Sequence, residues 1–250
     1  MSVLTMIVET VNFQQRYVMI TVRPSAERGH ANHGWLDSRH TFSFADYYDE
    51  EHMAFRSLRV INEDLIAPGG GFPTHGHRDM EIISYLIAGT LAHKDSLGSQ
   101  ETIRPGEIQA MTAGRGVLHS EFNPSQTETA HLLQIWLQPR ARGLAPAYDQ
   151  RVFPETDRTN QFALIASGTP GTSALPINAD ADLRAALLTP GTTVTHPLAA
   201  GRHAWVQVAR GTLTVNGTTL QPGDGAAISQ ENAVTITAQT AAEVLLFDLA

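Results

Sequence analysis

The sequence predicts an all-β protein of the jelly-roll kind, and three observations carry that expectation. Helix-period segments are scarce. Short runs of β-branched and apolar residues dominate, at 57–62, 81–86, 107–111, 132–137, 204–209, 212–215 and 243–248. Turn signals separate them at short intervals, as many-stranded sandwiches and barrels require.

Taken in order, the pattern opens at Met19-Ile20-Thr21-Val22, a plausible first strand, with Met19 a candidate natural initiator. Residues 1–18 read as an extension ahead of the fold. They lack a basic start and contain Glu9, so they do not read as a signal peptide. The turns follow as Ala67-Pro68-Gly69-Gly70, Ala88-Gly89-Thr90, Arg104-Pro105-Gly106-Glu107, Val215-Asn216-Gly217-Thr218 and Gln221-Pro222-Gly223-Asp224. Residues 138–155, rich in Pro, Arg and Ala, read as a junction, and 166–178 as a long loop. The stretch 179–188 holds helix-forming residues but is too short for its period to decide.

An internal echo points to two copies of one unit. Ile87-Ala88-Gly89-Thr90-Leu91 precedes Ile103-Arg104-Pro105-Gly106-Glu107, and Ala209-Arg210-Gly211-Thr212-Leu213 precedes Leu220-Gln221-Pro222-Gly223-Asp224. The expected division is an extension at 1–18, a first unit at 19–140 and a second at 141–250.

Bulk composition narrows the function. The 250 residues are 42% hydrophobic and 17% charged, with a formal net charge of −8, which argues against a broad phosphate-binding surface and so against nucleic acid. There is no Cys, so a metal site must use N and O ligands. No apolar run reaches about 18 residues, so no membrane helix is expected; a cytoplasmic location follows by default. Neither a G-x-x-x-x-G-K-[ST] phosphate loop nor a G-x-S-x-G elbow occurs.

The chemistry concentrates in Thr74-His75-Gly76-His77 and Leu118-His119-Ser120-Glu121, with His77 and His119 separated by 42 positions. On a strand, residues i and i+2 share a face, so His75 pairs with His77 and His119 with Glu121. Converging from neighbouring strands, three imidazoles and one carboxylate make a ligand set for a first-row transition metal and a poor one for calcium or magnesium.

These residues resemble a known family. The run Gly71-Phe72-Pro73-Thr74-His75-Gly76-His77-Arg78-Asp79-Met80-Glu81 resembles the first cupin motif. The run Met111-Thr112-Ala113-Gly114-Arg115-Gly116-Val117-Leu118-His119-Ser120-Glu121 resembles the second in the form typical of pirins, and Arg28 through Phe44 resembles the N-terminal signature of bacterial pirin-like proteins. The resemblance implies a bicupin fold, two jelly-roll β-barrels face to face, with metal only in the first. It puts the ligands at His75, His77, His119 and Glu121. It implies iron, Fe(II), as the metal, although the donor set also suits Mn, Co, Ni, Cu or Zn. It further implies a quercetin 2,3-dioxygenase-like enzyme that cleaves a flavonol with dioxygen and releases carbon monoxide, Glu121 taking the substrate's proton. The alternative is a metal-dependent regulatory module that binds a protein partner. The second half departs from the motif: it offers only His196 and His203, and Ala226-Ala227-Ile228-Ser229 stands where a His-x-Glu pair would fall.

Other candidates have plainer readings. Glu81 shares parity with His75 and His77 and reads as a structural residue or one orienting the ligands. His30, His33 and His40 read as turn or interface residues. Phe42 and Phe44 read as core. His93, Lys94 and Asp95 read as hairpin residues, and Arg115, between Gly114 and Gly116, as a solvated turn residue.

Overall fold

Strand alternation sets the architecture, and every expected strand run forms. The computed structural model describes residues 19–250; the expected extension at 1–18 lies outside the described residues. Among the described residues the only helical elements are a 3-10 turn at Ser25–Glu27 and a single turn at Glu155–Arg158.

The strands form two sandwiches, each a seven-stranded sheet facing a four-stranded one. In the first, the large sheet runs Ala147–Val152, Glu107–Thr112, Glu81–Ala88, Ala130–Leu137, Leu58–Ile66, Leu36–His40 and Gly29–Asn32. The small sheet runs Gly71–His77, Val117–Phe122, Leu91–Asp95 and Gln100–Ile103. The second sandwich repeats the plan, drawing all but one strand from the other half, its small sheet running Thr193–Pro197, Ala233–Ala238, Leu213–Val215 and Thr218–Leu220.

The echo in the sequence has a steric basis. Gly89 and Gly211 both take positive φ, 77° and 75°. A Cβ on Gly89 would lie 2.6 Å from the Thr129 carbonyl oxygen, and one on Gly211 would lie 2.1 Å from that of Ala241. Each glycine lets a hairpin close against the entry to the strand beside it, Ala130–Leu137 or Ala242–Leu249.

Two strands cross the division at 140/141, which we keep as a proposal for where the halves meet. Met19–Arg23 pairs with Gly225–Ser229 in the second large sheet, and Ala147–Val152 pairs with Glu107–Thr112 in the first. The segment 138–155, expected to be an irregular junction, therefore carries a strand. Its Arg- and Gln-containing sequence hides it, because it is an edge strand with no fully buried residue. The undecided stretch 179–188 holds the strand Ala181–Leu188, central in the second large sheet. Tertiary pairing there overrides the helix preference of its Ala and Leu residues.

The two large sheets pack on each other. One apolar cluster joins Ile83, Tyr85, Ile87, Leu133 and Ile135 to Leu183, Ala185, Trp205, Leu245 and Phe247. Within it sits a buried polar knot: the Tyr85 hydroxyl donates to Glu243 Oε1 at 2.6 Å and accepts from Arg158 Nη1 at 3.0 Å. The interiors differ. The second sandwich is filled by aliphatic side chains such as Val206, Leu213, Ile228, Val234 and Ile236. The first holds smaller apolar clusters and a cavity.

Tyr85→Phe leaves buried Glu243 and Arg158 each short of a partner. We expect a loss of about 2 kcal/mol, read as a lowered urea midpoint at unchanged secondary structure.

Candidate metal centre and cavity

The site begins with one strand pairing. Val117–Phe122 runs antiparallel to Gly71–His77, with His119 opposite His75 and Val117 opposite His77. The ring centroids of His75, His77 and His119 lie 4.5 to 4.8 Å apart, and their ligand atoms fall within 4.8 Å of one another. His75 Nδ1 donates to the Pro73 carbonyl at 2.8 Å, which leaves its Nε2 lone pair free. That Nε2 faces His119 Nε2 at 3.0 Å. Two nitrogens bound at right angles to one metal with bonds of about 2.1 Å would stand about 3 Å apart, so the donor set fits a divalent ion. Burial, then the nearby imidazoles, lower His77 to about 4 and His119 to about 3. Both rings therefore stay neutral, as ligation requires.

Glu121 stands in an overlapping group, with His119 and His93. The structure thus brings the three imidazoles together and links the carboxylate to them through His119. A register shift between His119 and Glu121 moves Glu121 opposite Phe72. Its carboxylate accepts from Gln109 Nε2 at 3.0 Å and Gln134 Nε2 at 2.8 Å, and the Ser84 hydroxyl donates to Gln134 Oε1 at 2.8 Å. Burial outweighs these donors and raises its pKa to about 7.

His93 is a residue that sequence reasoning assigned to a hairpin and the structure puts at the site. It is buried, stacks on Tyr148 at 4.6 Å, and brings Nδ1 within 3.5 Å of His119 Nδ1. Its Nε2 donates to Asp95 Oδ2 at 3.1 Å. Alternation of Leu91, His93 and Asp95 along one strand face was the available signal. Glu81 takes the structural alternative: buried, it accepts from Thr112 Oγ1 at 2.9 Å and the Asn178 backbone N–H at 3.1 Å, away from the imidazoles. Arg115 is exposed, as expected.

A cavity of about 680 Å³ opens beside the triad and reaches His75, His77 and Glu121. Three more histidines line it: His30 and His40 lie on the strands Gly29–Asn32 and Leu36–His40, where turn or interface roles were expected, and His33 keeps its expected place in the turn between them. They do so because Gly29–Asn32 and Leu36–His40 extend the large sheet over the opening. Of the two phenylalanines, Phe42 is core, its ring 5.2 Å from Trp205, whereas Phe44 walls the cavity 5.4 Å from Trp136. Trp35 and Phe72 meet edge to face at 5.1 Å on the same wall. In the second half, His196 is paired with Asp248 at 2.8 Å and His203 with Ser229 Oγ at 2.8 Å.

Two facing jelly-roll sandwiches, the first with a histidine triad beside a cavity, define a bicupin protein with a site suited to a divalent metal. The chain matches the Pirin family over residues 21–137 and the Quercetinase C-terminal cupin domain over residues 164–249. It is 50% identical over 232 residues to a quercetin 2,3-dioxygenase of Escherichia coli, covering 92% of this chain and 99% of that one. It is 43% identical over 233 residues to a pirin-like protein of Caulobacter vibrioides, covering 93% and 100%. The crystal structure of the bacterial pirin YhhW from Escherichia coli in complex with nickel(II) superposes with a TM-score of 0.88 at 48% identity, over 92% of this chain and 99% of that one. The chain belongs to the pirin family.

Asp64, in the cavity wall, is buried and accepts from Ser38 Oγ at 2.5 Å; burial raises its pKa to about 6 from 3.8. The folded state then binds more protons than the unfolded one between about pH 4 and 6, and stability falls as pH rises through that window. The Asp64→Asn protein should gain on the parent across the same range, by at most about 3 kcal/mol. Urea melts at pH 4 and 7.5 read this, and a pH-independent difference contradicts it.

Proposed function

We propose that this chain is a metal-dependent dioxygenase that cleaves flavonols such as quercetin with dioxygen and releases carbon monoxide. The observation that carries the reading is a three-imidazole cluster, with Glu121 beside it, at an aromatic-walled cavity. The name of the Escherichia coli relative supports the substrate class.

His75, His77 and His119 hold the metal in this reading, with Glu121 the fourth ligand, and iron(II) is the first choice among metals that accept N and O donors. When bound, the metal supplies Lewis acidity that lowers the pKa of the flavonol hydroxyl. Glu121 receives that hydroxyl's proton; Gln109 and Gln134 hold its carboxylate in place. Trp35, Phe44, Phe72 and Trp136 provide flat apolar walls that orient an aromatic substrate and exclude water. Both atoms of dioxygen enter the products, one carbon of the substrate leaving as carbon monoxide and the rest as an ester.

Metal analysis after purification without a chelating tag should give one equivalent in the parent. We expect His75→Ala and His77→Ala to lose it, and His93→Gln to keep it with weaker affinity, by about 10-fold or more. Loss from His93→Gln alone would move the ion to the other group. Oxygen uptake with quercetin should accompany carbon monoxide release. His75→Ala and Glu121→Ala should each lower turnover by at least about 100-fold; full turnover in either variant overturns the mechanism.

A further inference from the structure

The edge strand Ala147–Val152 brings a side chain to the site from outside the cavity. Gln150 stands opposite Gln109, Gln109 opposite Ser84, and Ser84 opposite Gln134, so a row of polar side chains crosses the inner face of the first large sheet from that edge. Directly opposed residues share a face. Tyr148, two residues before Gln150, shares it too. Tyr148 is half-buried and is not part of the cavity wall.

Counting hydrogens gives every bond in the row a direction. Gln109 Nε2 carries two hydrogens and meets two acceptors, Ser84 Oγ at 2.9 Å and Glu121 Oε1 at 3.0 Å. Ser84 passes its one hydrogen to Gln134 Oε1 at 2.8 Å, and Gln134 Nε2 donates to Glu121 Oε2 at 2.8 Å. Each oxygen of the carboxylate therefore meets one amide N–H. The pattern holds only while Gln109 keeps its amide oxygen turned away from Glu121; reversed, the amide would set oxygen against oxygen. That amide oxygen meets the Tyr148 hydroxyl at 3.1 Å. The hydroxyl has one proton and a second amide oxygen in reach, Gln150 Oε1 at 3.0 Å. Gln109 cannot turn, because both its N–H groups are taken. Gln150 can, because its amide nitrogen loses only a 3.4 Å contact with the Thr102 carbonyl. Gln150 then donates to the phenol oxygen, and the phenol proton goes to Gln109.

The ring of Tyr148 serves the imidazoles. It lies nearly flat on His93, the centroids 4.6 Å and the planes 22° apart. His93 donates from Nε2 to Asp95, which leaves a lone pair on Nδ1 facing His119 Nδ1 at 3.5 Å. His119 accordingly keeps its proton on Nδ1 and offers Nε2 as the ligand atom. One side chain thus touches the supports of both the carboxylate and an imidazole.

We infer that Tyr148 is a positioning residue of the metal centre: its hydroxyl fixes the direction of the amide row that holds Glu121, and its ring holds His93 against His119. The assignment rests on the metal-binding reading above, in which Glu121 is the fourth ligand, and names what orients it.

Cobalt(II) tests this without turnover. Its affinity is measured by competition with a chelating dye, and its visible absorption reports the geometry of its ligands. Tyr148→Phe keeps the ring and removes the hydroxyl; it should weaken cobalt(II) binding about 10-fold and shift the visible bands. Tyr148→Leu removes the ring as well and should weaken binding further. In a Gln109→Met background, Tyr148→Phe should change neither the affinity nor the bands, because the hydroxyl acts through Gln109. A Tyr148→Phe protein that binds and absorbs like the parent overturns the assignment, and so do losses that add in the double variant. A Tyr148→Leu protein no weaker than Tyr148→Phe overturns the part given to the ring. Should Tyr148→Leu fail to fold, Tyr148→Phe and the double variant still decide. A parent that binds cobalt(II) but does not turn over quercetin overturns the flavonol reading alone; a parent that binds no cobalt(II) overturns the metal-binding reading and this assignment together.

Discussion

The antiparallel register of Gly71–His77 against Val117–Phe122 is the constraint on which the site depends. It sets His119 opposite His75 and, through the two-residue repeat, brings His77 into the same cluster. A slip of one residue would turn His119 to the other face and replace it with an apolar or hydroxyl neighbour. The irregularity before Glu121 then re-aims the carboxylate toward the large sheet, where two glutamine donors meet it. The two sheets of the first sandwich are thus joined across their interior by polar groups instead of by apolar packing alone.

That interior marks the division of labour between the halves. The second sandwich fills the equivalent space with Val, Leu, Ile and Ala, and contributes rigidity. The first gives up close packing for a cavity and a buried polar row. Such groups are costly to bury unpaired, and Gln109, Gln134 and Ser84 are held in bonds with one another and with Glu121. The outer face of the same sheet is welded to the second sandwich through Tyr85, Glu243 and Arg158 and through the apolar cluster around them. A sheet clamped in this way can hold site residues to the tolerance that substrate positioning demands.

Much of this architecture is legible in the amino-acid pattern, and the rest is hidden there for identifiable reasons. The strand runs, the hairpin glycines and the internal echo are local signals, and each formed an element. His93 is hidden because its strand, Leu91–Asp95, reads equally well as a hairpin arm until its pairing with Val117–Phe122 is known. His40 is hidden because the parity of a single short strand says which residues share a face, not what that face covers. Ser84, Gln109 and Gln134 are hidden for another reason. Glu81–Ala88 is buried along nearly its whole length on both faces, so the polar–apolar alternation that normally reveals orientation is absent.

By itself the sequence determined the all-β class, the two-fold repeat and the pairing of His75 with His77 and of His119 with Glu121, because the two-residue period of a strand acts over neighbouring positions. Tertiary structure alone decided that Glu121 joins His93, that Ala147–Val152 completes the first sheet and Met19–Arg23 the second, and that His40 and Asn62 face the cavity. Those outcomes depend on hydrogen-bond register between segments far apart in the chain, and register is settled by packing across both faces of a sheet, which no local pattern records.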